Sequence, residues 1–242
     1  YDSQNQHGGL AYLWVTGGGG MFGAPVSTWK MYDAFTGRWI LNVANVTTGT
    51  TTFSSDGSIL NYNLRTFNVS GQIIPQITLW NSSQAISPWD PNGMQWWRPT
   101  TGATIDGSRG IMWSKNLTSF GHGEQSGPVG FGMSVNPSVK RIGKDELGDP
   151  TMILLGWGDN TRYPWKFGYA MYSLKYGDEG RMLWSRNVTN MYGTSGERIS
   201  QNIIDGYFAI FDEPTETLHI YNAETGVELH ETESMNNAWG IF

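Results

Sequence analysis

Tyr32-Asp33-Ala34-Phe35-Thr36-Gly37 runs into the apolar stretch Arg38-Trp39-Ile40-Leu41, and the pattern returns as Tyr221-Asn222-Ala223-Glu224-Thr225-Gly226 before Val227-Glu228-Leu229. In both copies a strand-like run ends in Asp/Asn-x-x-Thr-Gly and a second run leaves it. Asp33 or Asn222 is the residue that bonds back to its own backbone. Gly37 or Gly226 takes the positive φ that the turn needs. Each copy therefore reads as a hairpin turn, with Thr36 and Thr225 inside it, and finding the unit twice points to a repeat architecture.

A second frame repeats between the two hairpins. Asp106-Gly107-Ser108-Arg109-Gly110-Ile111-Met112-Trp113-Ser114-Lys115-Asn116-Leu117-Thr118 aligns with Asp178-Glu179-Gly180-Arg181-Met182-Leu183-Trp184-Ser185-Arg186-Asn187-Val188-Thr189. The stretch from Arg38 to Thr47 is a third copy, with Asn42 in the Trp-Ser region. The spacing is roughly 70 residues, shrinking to about 45 before the last unit, as expected of inserts that vary around a constant unit. Four units follow, at about residues 9–50, 51–119, 120–190 and 191–233, with 234–242 as the start of a further strand.

The rest of the chain suits such units. Leu10 to Val15, Thr28 to Tyr32, Arg38 to Val43, Ser58 to Leu64 and Ile73 to Trp80 read as strands, the fourth by its period-two alternation. Met152 to Trp157, Phe167 to Leu174, Ile203 to Phe211 and Leu218 to Tyr221 continue the series. Gly18-Gly19-Gly20-Met21-Phe22-Gly23 fits G-x-G-x-x-G, but Pro25, Val26, Thr28 and Trp29 follow where a phosphate cradle needs a helix. From Ser82 to Thr104 the prolines Pro88, Pro91 and Pro99 forbid a continuous helix. That segment reads as an excursion whose Trp89, Trp96 and Trp97 are candidates for stacking on a ligand.

Composition agrees. The chain has 242 residues, 32 of them Gly, and aromatics make up 14%. Short strands and tight turns account for that better than helices do. A net charge of −6 argues against a nucleic-acid partner. The absence of cysteine excludes disulfides, thiolate metal sites and Cys nucleophiles. No apolar run approaches the roughly 20 residues of a membrane helix. Tyr1 in place of Met, together with sequons at Asn45, Asn68, Asn81, Asn116 and Asn187, predicts an exported glycoprotein, extracellular or on the cell surface, or a piece of a longer one.

The frame Tyr-(Asp/Asn)-Ala-x-Thr-Gly-x-x-Leu resembles the repeat of quinoprotein-like, or PQQ-like, β-propellers, whose blades carry a tryptophan docking motif. The first and fourth units match it except at the Trp, where Leu41 and His230 stand; the second and third keep Trp113 and Trp184. The blend of Trp/Gly-rich units, sequons and no Cys is also similar to secreted archaeal propellers. The resemblance implies an all-β chain of four-stranded antiparallel blades, about four here, belonging to a larger ring. The ring would be completed by further blades of the same polypeptide or by another chain. It also implies PQQ with Ca²⁺ under an oxidoreductase reading. No Glu, Asn and Asp set matches position by position, so no catalytic or cofactor-binding residue is carried over, and no cofactor is expected.

The remaining titratable residues form no recognisable motif. His7, His122, His219 and His230 lack H-E-x-x-H or Cys/His spacing, so no metal site is expected. Asp145-Glu146, Asp178-Glu179 and Asp212-Glu213 sit in turn-like contexts. The expectation is an exported, non-catalytic binding or scaffolding module, with glycans among its partners. A PQQ-type oxidoreductase and a carbohydrate-binding or carbohydrate-active propeller are the alternatives.

Overall fold

The computed structural model describes residues 11–16, 27–69, 72–86, 101–117, 137–159, 166–188, 198–200, 202–212 and 215–234. In chain order the first strands are β1 (Tyr12–Val15), β2 (Ser27–Asp33), β3 (Trp39–Val46), β4 (Thr50–Phe53), β5 (Ile59–Val69) and β6 (Gln72–Asn81). A short helix α1 (Ser82–Ile86) follows, then β7 (Thr104–Asp106), a 3₁₀ turn over Gly107–Gly110 and β8 (Ile111–Asn116). The later strands are β9 (Ser138–Lys144), β10 (Pro150–Asp159), β11 (Lys166–Ser173) and β12 (Met182–Val188). Last come β13 (Arg198–Ile199), β14 (Tyr207–Asp212), β15 (Thr217–Asn222) and β16 (Glu228–Glu231).

They form four four-stranded sheets, ordered β1-β2-β3-β7, β4-β5-β6-β8, β12-β11-β10-β9 and β13-β14-β15-β16. The last two are antiparallel throughout. The first is not, which corrects the expectation of uniformly antiparallel sheets: β7 runs parallel to β3, with Asn42 opposite Thr104 and Ala44 opposite Asp106. A parallel neighbour must arrive by a long connection rather than a hairpin, and the chain between β3 and β7 is spent on β4, β5, β6 and α1. The first sheet thus draws its fourth strand from 104–106, outside the stretch 9–50. Backbone bonds from Gly102 N to Ile40 O (2.6 Å) and from Asn42 N to Ala103 O (3.0 Å) seat it.

Two compact units divide the chain. One comprises residues 1–63 and 77–114, the other 64–76 and 115–242. In the first, Trp29, Met31, Leu41, Val43, Ile59 and Trp80 form the core, with Trp14, Trp29 and Trp80 meeting edge to face. Trp80 is fully buried, its Nε1 donates to Gly107 O at 2.6 Å, and a Cβ at Gly110 would run into the indole. Helix α1 is held by Asn81, whose Oδ1 accepts from the backbone N–H of Ser83 (2.7 Å) and of Gln84 (3.3 Å).

In the second unit, Met152, Ile153, Leu154 and Leu155 are all buried, the pattern of a strand covered on both faces. Their sheet packs on that of β14 and β15 through Met171, Leu154, Phe208, Ile210 and Tyr221. Trp184 stacks on Phe208 (5.9 Å, 3°), and Phe208 on Tyr221 (5.3 Å, 23°).

The two hairpin turns are near twins. Asp33 Oδ1 accepts from Phe35 N and Thr36 N at 2.9 and 2.7 Å; Asn222 Oδ1 accepts from Glu224 N and Thr225 N at 3.0 and 2.9 Å. Thr36 Oγ1 accepts from Arg38 N and Thr225 Oγ1 from Val227 N, each at 3.3 Å and one residue before the next strand. Gly37 stands at φ 67° and Gly226 at φ 68°, in the left-handed region. They differ in one respect: space around Gly37 is open, whereas the flat face of Gly226 lies under Trp184. Trp184 Nε1 donates to Ala223 O at 2.8 Å, so the indole of one sheet is seated on the turn of the next.

Candidate functional site

The chemistry of the described residues concentrates where β12 faces β15 and β16. In β15, period-two alternation turns Thr217, His219 and Tyr221 to one face. On β16 the separation between Glu228 and Glu231 is odd, which in a regular strand would send them to opposite faces. A register shift between Ile220 and Tyr221 prevents that: Tyr221 pairs with Glu228, Ile220 with His230 and His219 with Glu231. The bulge turns both glutamates towards His219, the re-aiming for which bulges recur near functional groups.

A run of hydrogen bonds crosses this face. His219 Nδ1 lies 2.8 Å from Glu228 Oε1, and His219 Nε2 lies 3.1 Å from Thr217 Oγ1. Thr217 Oγ1 in turn lies 2.7 Å from Thr215 Oγ1. At the other end Arg186, reaching from β12, donates to Glu228 Oε2 at 3.2 Å and lays its guanidinium over the Tyr221 ring at 4.9 Å. Thr217 is buried, the His219 side chain is 15% exposed, and that of Arg186 is 42% exposed.

Electrostatics fixes the proton positions. Burial pushes the Glu228 carboxyl up, but the hydrogen bonds and charges of His219 and Arg186 outweigh it and hold the group below the ordinary glutamate value. An ionised Glu228 can only accept, so Nδ1 of His219 carries the proton. In the neutral ring Nε2 is then the acceptor, aimed at the Thr217 hydroxyl. Burial pushes the Tyr221 phenol up to about 12, so beside this pair it stays neutral.

Of the residues singled out in the sequence, none of the proposed ligand-stacking group is brought here: Trp89, Trp96 and Trp97 lie outside the described residues. The sequons diverge. Asn45 sits at φ 58° and donates its amide to Asp106 Oδ1 at 3.2 Å, while Asn81 caps α1. Asn116 is exposed at the end of β8 and accepts from Gln76 Nε2 at 2.9 Å. The side chains of Asn68 and Asn187 are outside the described set. Asp178 takes a turn role, accepting from Arg181 Nε at 2.6 Å, and Asp145 accepts from Leu147 N and Asp149 N at 3.0 and 2.9 Å. His219, which sequence spacing set aside, is the histidine that the fold supplies with a carboxylate. Its only local signal is Thr-x-His-x-Tyr in a strand whose hairpin partner is acidic.

No protein-family profile and no curated protein matches the chain. Among solved structures it is similar to a protein of Bacteroides fragilis assigned provisionally as a 6-phosphogluconolactonase, with 11% identity and a TM-score of 0.32, covering 91% of this chain and 67% of that one. It is also similar to the periplasmic gluconolactonase of Pseudomonas aeruginosa, with 11% identity and a TM-score of 0.27, covering 92% and 82%. The expectation of a non-catalytic binding or scaffolding module is withdrawn on this finding. The solved structures in question are described as lactonases, not as binding modules. Likenesses this distant assign no activity and no substrate to the chain. No helix among the described residues is long and apolar enough to cross a membrane.

Proposed function

We propose that the chain is an acyl hydrolase on a β-propeller-type scaffold, its four sheets serving as blades, with Thr217 as nucleophile, His219 as general base and Glu228 as the group that orients the imidazole. The observation that carries this is the unbroken run Thr217–His219–Glu228, with contacts of 3.1 and 2.8 Å. A nucleophile within reach of a base that a third group holds is the arrangement that activates a hydroxyl at neutral pH. The seat of Trp184 on the turn of the next sheet supports the propeller reading.

The reaction follows from these positions. Nε2 takes the Thr217 proton as Oγ1 bonds to the acyl carbon, and the departing alkoxide receives that proton from the imidazolium. Water then repeats the exchange: it yields a proton to Nε2, its oxygen joins the acyl carbon, and the Thr217 ester bond breaks with the proton returned to Oγ1. Glu228 stays ionised, stabilising the transient imidazolium, and Arg186 keeps that carboxylate in place.

The test is hydrolysis of p-nitrophenyl esters and of aldonolactones, read by release of nitrophenol and by acid production. His219→Gln should lower kcat/KM by about 10²-fold or more, the usual contribution of a positioned base. Thr217→Val should abolish turnover, while Thr217→Ser keeps a measurable rate. The acylated peptide trapped at short times should contain Thr217. Ester hydrolysis unaffected by Thr217→Val, or no hydrolysis by the folded wild type, removes this assignment.

A further inference from the structure

Glu231 has no task in the acyl-transfer arrangement, yet the bulge delivers it to the same face. Its backbone pairs with His219, and its carboxylate lies with a ring nitrogen of His219 and an oxygen of Glu228 such that all three atoms are within 4.8 Å of one another. Among the described residues no hydrogen bond or ion pair holds the Glu231 side chain. Against these two carboxylates stands one guanidinium, that of Arg186, paired with Glu228 and 42% exposed. Tyr221 is held neutral, and Thr217 and Ile210 add no charge from the strands packed against the site. The local charge is negative, and an imidazole nitrogen is present to discriminate among cations.

We propose that His219, Glu228 and Glu231 form an inhibitory site for a divalent transition cation of the Zn²⁺ type. One imidazole nitrogen and two carboxylate oxygens are the donors that such ions take, at about 2.0–2.2 Å, leaving a fourth position for water. Ligands on one tetrahedral ion stand about 3.3 Å apart, so side-chain rotation closes the set without backbone movement. A hard cation such as Ca²⁺ would want more oxygens and no imidazole. Binding is incompatible with the His219–Glu228 hydrogen bond. The cation takes Nδ1, the ring nitrogen beside Glu228, while the proton of the neutral ring passes through water to Nε2, and Arg186 releases Glu228 towards solvent. The ring can then no longer serve as base, so the ion switches the site off. This inhibitory role rests on the reading of His219 as the base; the binding itself does not.

Zn²⁺ titrated calorimetrically into the wild-type chain should show one site lost in His219→Gln and weakened at least tenfold in Glu231→Gln. His230→Gln is the control, because His230 lies opposite Ile220 rather than His219, and it should leave that site intact. Ester hydrolysis by the wild type should fall as the site fills, while Glu231→Gln, compared with itself without Zn²⁺, should keep its rate at the same concentration. Absence of a stoichiometric site in the wild type, or equal affinity in Glu231→Gln, overturns the proposal. One Zn²⁺ bound as stated, by a chain that hydrolyses no ester, upholds the cation site and removes the acyl-transfer reading alone.

Discussion

Trp80→Ala should lower stability by about 3–5 kcal/mol, the range for truncating a large buried aromatic residue. Trp80 is fully buried and its ring meets Trp29 at 5.0 Å and 69°. Its Nε1 bond to Gly107 O, at 2.6 Å, is made inside the protein, so truncation also leaves a carbonyl without its donor. Gly110 has no side chain that could move in to fill the space. A chain of this size shifts its midpoint by about 2–4 °C per kcal/mol, so thermal unfolding followed by near-UV circular dichroism should fall by roughly ten degrees. Trp80→Phe keeps most of the ring but not the donor, and should lose about half as much. An unchanged midpoint in Trp80→Ala would mean that this core does not hold its unit together.

Gly226→Val should cost about 3 kcal/mol and Gly37→Val only about 1, although the two turns share the Asx-Ala-x-Thr-Gly pattern, its backbone hydrogen bonds and φ. The shared part is the strain of a β-branched residue at φ 67° or 68°. The difference is Trp184: a Cβ at Gly226 would stand 2.5 Å from indole Cδ2, while nothing lies within 4 Å at Gly37. Overpacking of this kind adds about 1–3 kcal/mol. The indole must lift from Ala223 O and slide on Phe208, and the Arg186–Glu228 contact close by loosens with it. Paired denaturant melts of the two variants separate the contributions. Equal losses would show that Trp184 does not rest on the turn.

The contrast between these glycines marks how far the sequence could be read. An Asx-x-x-Thr-Gly turn is settled by atoms within five residues, so Asp33–Gly37 and Asn222–Gly226 were legible as hairpins. The buried run Met152–Leu155 was legible as strand because its composition admits little else. What escaped depends on partners far along the chain. Strand β7 is three residues long, and its pairing with Asn42–Ala44 bridges about sixty residues of intervening chain, which no local pattern encodes. Trp80 stood in a recognised strand, but Gly107 and Gly110 beneath its indole belong to a different turn. The site was hidden for a third reason. Strict alternation puts Glu228 and Glu231 on opposite faces, and only the bulge opposite Ile220 and Tyr221 reverses one of them. His219 therefore looked like one exposed or structural histidine among several, with no carboxylate at a recognisable spacing.

The tautomer of that histidine decides whether Nε2 can act as the base. Free histidine in water favours the tautomer with the proton on Nε2, whereas a ring bonded through Nδ1 to an ionised Glu228, with Nε2 accepting from Thr217, must hold it on Nδ1. Long-range ¹H–¹⁵N correlation spectra of the metal-free protein, recorded in the neutral form of the ring and assigned with His219→Gln, report the tautomer directly. The account predicts that His219 is the Nδ1–H tautomer and reverts to Nε2–H in Glu228→Gln. An Nε2–H tautomer in the wild type would contradict it, because the nitrogen meant to accept the Thr217 proton would already carry one.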